Sequence, residues 1–424
     1  MKLPQIFPLR QKFNAEKLAD VAGAVHRELG GLQLGQKIRP GQTVAVTAGS
    51  RGIANIHLIL RAVVEHLRWL GAEPFLVPAM GSHGGGTAEG QRALIESYEI
   101  REESVGCPIR SSMDTVVVCQ TAEGFPVHFD RNAFQADHVL VCNRIKPHTR
   151  FVGDIESGLM KMMLIGLGKR AGAEIYHRAI QDYTFGQIVR SVAHEVISKC
   201  RIVAGLAIVE NAFDQTAHVA AVRPDEFETR EKELLVQAKR LMARLPFERA
   251  DLLLIDRIGK NISGTGLDTN VVGRKYNDRC AAPDEFPKIK LIAVRGLTEQ
   301  THGNAVGLGI AELCRSRVLR ELDSAATRLN AIVAGHVSAA MLPVDYATDR
   351  EILATALGSA GLAEPHQTKL LWISNTLELA EVACSTAYWA EAQKREDLEI
   401  LGQPVDLPLD AEGQLPDLKQ WLQR

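Results

Sequence analysis

Three side chains stand where parallel sheets do chemistry. Arg51 follows the β-branched run Thr43–Val46, His83 follows Pro74–Ala79, and His148 follows His138–Cys142. Sheets of this kind bind ligands at the carboxyl ends of their strands. An arginine there can fork onto a carboxylate, and a histidine can exchange a proton near neutral pH. Glycines flank His83 in Gly81-Ser82-His83-Gly84-Gly85-Gly86 and let backbone or ligand come close. Pro147 stiffens the approach to His148. Neither feature is specific alone, because a histidine beside glycines is more often structural than catalytic. Lys161 lies inside the apolar run Leu159–Ile165. It reads equally as a snorkelling helix lysine or as a desolvated nucleophile or covalent anchor. His177, in Ile175-Tyr176-His177-Arg178, is by itself more often a core or surface histidine than a metal ligand.

The elements that position these residues recur as strand, polar or glycine-rich turn, helix. Ile56, Leu60, Val63, Val64 and Leu67 have helical spacing within a helix expected over Ile53–Leu70. Thr87 is the expected N-cap of a helix reaching about Tyr98. Further strands are expected at Val116–Cys119, His138–Cys142 and Ile202–Val209, with helices over Phe185–Lys199 and Pro224–Arg244. After Leu245-Pro246 a second series begins: strands at Leu252–Ile255, Ile289–Val294, Ala331–Val333 and Leu370–Ile373. Helices at Ala305–Arg320 and Asp349–Leu357 separate them. This alternation predicts an α/β protein of two domains, residues 1–247 and 248–424, each a mostly parallel sheet flanked by helices. The active site is expected in the cleft between them, with the polar C-terminal tail packing back on the first domain.

Composition removes several classes. Lys plus Arg total 49 and Asp plus Glu 51, a formal net charge of −2. With aromatics at 5%, neither a phosphate-binding stripe nor a base-stacking platform is present, so no nucleic-acid partner is expected. No run approaches the ~18 apolar residues of a membrane helix, and the N-terminus lacks a secretory pattern. Seven cysteines without a C-x-x-C pair suit a reducing cytoplasm.

Taken together, the segments S-R-G, G-S-H-G-G, K-P-H-T, G-L-M-K-x-x-L-I-G and Y-H resemble the nickel-pincer-dependent lactate racemase superfamily. They cover about residues 40–180. The resemblance implies a 2-hydroxy acid racemase or epimerase whose cofactor is a nickel-pincer nucleotide, made by dedicated biosynthesis proteins. Lys161 matches the lysine that tethers the cofactor through a thioamide. His177, sixteen residues on, matches the histidine that binds nickel beside two sulfurs and a ring carbon. His83 and His148 match the paired acid–base histidines, and Arg51 an arginine that contacts the substrate carboxylate. Hydride leaves the substrate carbon, a planar 2-keto acid reorients, and hydride returns on the other face. One histidine would serve each enantiomer as base.

Some positions depart from the family pattern. Its D-x-T-R-P turn is Ala48-Gly49-Ser50-Arg51-Gly52 here, and the proline of its I-L-P-G stretch is Ile165. Two second-half stretches, Gly259–Asn270 and Gly296–Asn304, are polar and glycine-rich but lack dinucleotide and Walker patterns. Their polarity points to a substrate with more hydroxyls or carboxylates than lactate. Two other readings use the same residues. One is a zinc-type metallohydrolase with His83, His148, Asp154 and His177 as ligands. The other is a non-catalytic protein that binds an anionic metabolite through Arg51.

Overall fold

A computed structural model describes residues 2–50, 52–361 and 364–423. The chain divides into two compact units, residues 14–242 and residues 1–13 with 243–424. The first strand, β1 (Gln5–Gln11), belongs to the second of these.

In the 14–242 unit the strands are β2 (Thr43–Ala48), β3 (Glu73–Pro78), β4 (Thr115–Gln120), β5 (Pro126–Asp130), β6 (His138–Arg144), β7 (Ile202–Glu210) and β8 (Thr216–Val222). The main sheet runs β3-β2-β6-β7-β8. Its first four strands are parallel and β8 is antiparallel to β7. The β-branched runs are apolar on alternate residues of both faces because helices cover both. Ala45, Phe75, Val77, Val139 and Val141 pack with Leu159, Leu167, Ile188 and Val192. Val44, Val46, Leu76 and Leu140 pack with Val25, Leu29, Ile59, Val63 and Leu67. The expected strand at Val116–Cys119 lies outside this sheet, in a separate antiparallel hairpin with β5. Thr87 does cap its helix, Ala88–Glu96, by accepting from Gly90 N.

The second unit holds β9 (Arg249–Ile255), β10 (Lys288–Val294), β11 (Leu313–Arg315), β12 (Val344–Tyr346), β13 (Leu370–Ile373), β14 (Glu381–Ser385), β15 (Leu398–Ile400) and β16 (Val405–Asp406). Its sheet runs β12-β11-β10-β9-β13-β14-β1-β15, with β16 also pairing β1. The half from β12 to β13 is parallel, and the half built on β14 and β1 is antiparallel. Buried Ile6, Phe7 and Leu9 draw the N-terminal strand here, away from the first domain to which the sequence assigned it. The tail packs in this same unit: Leu418 joins the cluster around Ile6, Leu254 and Trp372.

Two expected elements differ. Ala331–Val333 is the end of a helix, Ser324–Val333, whose N-terminus Asp323 caps through Ala325 N and Ala326 N. Ala331 is buried while Ile332 and Val333 face out, so helical rather than strand periodicity prevails. The helix expected over Ala305–Arg320 is broken by the short strand β11 and starts only at Ser316.

Candidate active site

Loops leaving the carboxyl ends of β2, β3 and β6 carry the candidate residues of the first unit. After β2, the Ser50 hydroxyl meets His83 Nδ1 at 2.5 Å, and Tyr98 OH donates to Ser50 O. Arg51 lies outside the described residues. After β3, the glycine loop is fixed from beneath by Gln91, fully buried, whose amide donates to Gly81 O at 2.9 Å and His83 O at 3.3 Å. Gly81 has φ +60°, and a Cβ there would sit 2.9 Å from Ile165 Cγ2. Only glycine therefore lets the His83 loop lie this close to the segment that follows Lys161. Gly49 likewise packs on the Met162 side chain.

The loop after β6 is tied at both ends. Ser157 Oγ accepts from Lys146 N and donates to Lys146 O. Buried Glu156 accepts from His148 N at 2.8 Å and pairs with Lys239 at 2.7 Å. The His148 ring is oriented by its own loop: Nδ1 accepts from Arg150 N at 3.1 Å and Phe151 N at 3.0 Å. The neutral ring then carries its proton on Nε2. Phe151 is the hub of the site. It stacks on His148 with centroids 4.0 Å apart and on Phe185 at 3.9 Å, and Lys161 Nζ lies 4.9 Å from its ring centre.

Lys161 ends a short helical turn, Leu159–Lys161, and a π-helical turn follows over Met162–Gly166. Such turns are often kept at functional sites. The turn starts against Glu231, a fully buried carboxyl that accepts from Met160 N at 3.0 Å. A Cβ on Gly158 would sit 2.7 Å from Glu231 Cδ. Asn143 at the end of β6 donates to Gly158 O and holds the same turn to the sheet. Burial pushes the Glu231 carboxyl up to about 8, against the pull of the Met160 and Leu159 N–H groups. Past the π turn, fully buried Lys169 pairs with fully buried Asp130 at 2.9 Å and has φ +53°.

His177 sits on the next helix, Lys169–Ala179, half-buried. Burial first, then the Lys161 and Arg150 charges, hold its pKa below the ordinary value. It is thus a neutral imidazole, the form that binds metals. His148, Phe151, Lys161, Arg150 and His177 form one neighbourhood, and His83 joins it through the packing of Gly81 and Gly49. Asp154 does not. Its carboxylate is committed to Arg190 at 2.6 Å and Lys232 at 3.1 Å, which hold its pKa down at about 2. Among the described residues no three His, Cys, Asp or Glu side chains are gathered as metal ligands. The metallohydrolase reading requires such a set, whereas a ligand-bearing cofactor requires one histidine.

Phe151, Glu156 and Glu231 were not singled out in the sequence. Phe151 lies three residues after His148, close enough for its N–H to reach the ring, and that spacing was the available signal. Glu156 and Glu231 act on loops far from their own elements and left no local mark.

The solved lactate racemase apoprotein from Thermoanaerobacterium thermosaccharolyticum shares this fold, with a TM-score of 0.50 at 13% identity over 82% of this chain and 90% of that one. The chain therefore has the α/β fold of that apoprotein. Residues 7–185 match the lactate racemase N-terminal domain family. No curated protein matches it in sequence. Among the described residues no helix is long and apolar enough to cross a membrane.

Proposed function

We propose that the protein racemises or epimerises a 2-hydroxy acid in the cytoplasm, with a nickel-pincer nucleotide held by Lys161 and His177. The observation that carries this reading is the Lys161 amine over the Phe151 ring, near enough to His177 for its charge to help hold the His177 pKa down. An amine can anchor a cofactor covalently and a neutral imidazole suits nickel, so the donor set fits the group. When bound, that group would take hydride from the substrate carbon and return it, with a 2-keto acid in between.

The chain's own residues handle the hydroxyl proton and the carboxylate. His83 is the base. Ser50 Oγ shares a hydrogen bond with Nδ1, and with the ring proton on Nδ1 the Nε2 atom is the basic nitrogen that takes the hydroxyl proton. His148 differs, because its Nδ1 already accepts two backbone N–H bonds and Nε2 carries the proton. His148 therefore donates a hydrogen bond to the substrate oxygen and stabilises charge on it, rather than serving as an equivalent second base. Arg51 binds the substrate carboxylate. Phe151 and Phe185 keep water from one side of Lys161. By composition alone, the polar stretches Gly259–Asn270 and Gly296–Asn304 favour a substrate with more hydroxyls or carboxylates than lactate. Equal turnover of lactate and larger polar hydroxy acids would remove that preference.

The test is intact mass and metal content on protein made together with the cofactor-biosynthesis proteins and nickel. A mass increase mapping to Lys161 with about one nickel per chain is expected. Lys161→Ala should lose the adduct, and His177→Ala should keep the adduct but bind less nickel. Well-folded protein with neither adduct nor nickel overturns the reading.

A further inference from the structure

The second unit gathers arginines at the carboxyl edge of its sheet. β9 runs into Asp256-Arg257, β10 into Arg295-Gly296, and β11 ends on Arg315, two residues before Arg317. Arg295 is almost completely buried. It grips Asp349 through Nε at 3.1 Å and Nη2 at 3.0 Å, and Asp256 through Nη1. Arg315 adds a second bridge to Asp349 at 3.0 Å, and Arg257 reaches Asp417 at 3.1 Å.

Arg317 has no such partner among the described residues. Its Nε donates to Arg295 O at 2.6 Å, and its Nη2 is buried without a hydrogen bond. The nearby carboxylates are taken by other donors. Asp256 also accepts from Trp372 Nε1 and Leu418 N, and Asp349 from Leu415 N. Four guanidinium groups thus face three carboxylates. Burial first, then the charges of Arg257, Arg295 and Arg315, act against the Arg317 cation and outweigh the pull of Asp349. Arg317 is half-buried with one sealed, unbonded nitrogen, an arrangement that an anion relieves.

Arg257 stands at the same peptide. A Cβ on Gly296 would sit 2.5 Å from Arg257 Nη1, so this guanidinium lies against the Cα next to the carbonyl that Arg317 holds. Two planar forks meeting at one peptide are suited to a carboxylate or phosphate. The carboxyl edge of a parallel sheet is also where α/β folds place ligands.

We propose that Arg317 and Arg257 form a binding site for the carboxylate or phosphate group of a small molecule. Neither Arg317 nor Arg257 has a role in the racemase reading, so either proposal can fail alone. The experiment is isothermal titration calorimetry on the full chain with inorganic phosphate and, separately, succinate, at ionic strength fixed with chloride. Saturable binding of at least one probe is expected, weakened about tenfold or more in Arg317→Gln and in Arg257→Gln. Arg317→Lys, which keeps the charge but loses the fork, should fall between. Phosphate alone binding assigns a phosphorylated ligand, and succinate alone a carboxylate. Should Arg317→Gln fail to fold by circular dichroism, Arg257→Gln decides, since that side chain is 32% exposed. No saturable binding of either probe, or unchanged affinity in the folded glutamine variants, overturns the site.

Discussion

Glu231→Gln isolates the anchor beneath Lys161. The Glu231 carboxyl is buried at the start of the Lys161 turn, with Oε2 bonded to Met160 N and, among the described residues, no hydrogen-bond partner for Oε1. Burial raises it from an ordinary 4.5 to about 8. A group raised in the folded state stabilises fully below its unfolded pKa, and that contribution is lost as pH rises through the folded pKa. The wild type should therefore lose stability from about pH 4.5 to about pH 8. Between pH 5 and pH 9 the loss from this one group is about 4 kcal/mol, because each pKa unit corresponds to about 1.4 kcal/mol. Glutamine keeps the acceptor for Met160 N and nearly the same volume but does not ionise. Urea unfolding of both proteins at pH 5, 7 and 9, followed by circular dichroism, gives a difference in which every other titrating group cancels. The glutamine variant should gain on the wild type by about 4 kcal/mol across that range, most of it by pH 8. A flat difference from pH 5 to pH 9 would show that Glu231 ionises freely and refute the argument from burial.

Three further outcomes follow from the site. In cofactor-loaded enzyme, His83→Gln should lower kcat about 10²–10⁴-fold, the usual loss of a general base, while His148→Gln, which keeps an N–H donor, should lose less. Equal losses in stopped-assay rates would restore two equivalent bases. Lys169→Met should destabilise the first unit by about 3–5 kcal/mol in chemical denaturation, because it strands Asp130 without its buried ion-pair partner; a loss under about 1 kcal/mol would refute the pair's role. Asp154→Ala should leave nickel content unchanged and alter stability by less than about 1 kcal/mol, since its bridges are exposed. Loss of metal in that variant would revive the hydrolase ligand set.

The parts of the fold legible in the sequence are those whose partners lie close along the chain. Phe185–Lys199 was read with its boundaries as observed, because Thr184 caps it and its apolar spacing is helical. β1 was missed because what makes it a strand is Glu381–Ser385, more than 370 residues away. Ala331–Val333 was misread because three apolar residues fit a strand or a helix end equally, and Asp323, eight residues upstream, settles it. The site divides in the same way. His83, His148, Lys161 and His177 are proposed from local motifs, but what would set their chemistry is not in the motif. Glu231 sits in Glu228-Thr229-Arg230-Glu231-Lys232-Glu233, where it reads as one more solvated charge, yet it alone of these turns inward beneath Lys161.

His148 marks the boundary between the two kinds of information. That a histidine follows β6 is a sequence fact, and a base was the natural reading. Its proton is placed by N–H groups two and three residues ahead, in the manner of an Asx turn. A ring whose inner nitrogen is already an acceptor offers substrate a donor, whatever its intrinsic pKa. On the proposed reading two histidines at equivalent sheet edges hold opposite roles, and the difference lies in the backbone N–H groups of Arg150 and Phe151 rather than in the imidazoles themselves.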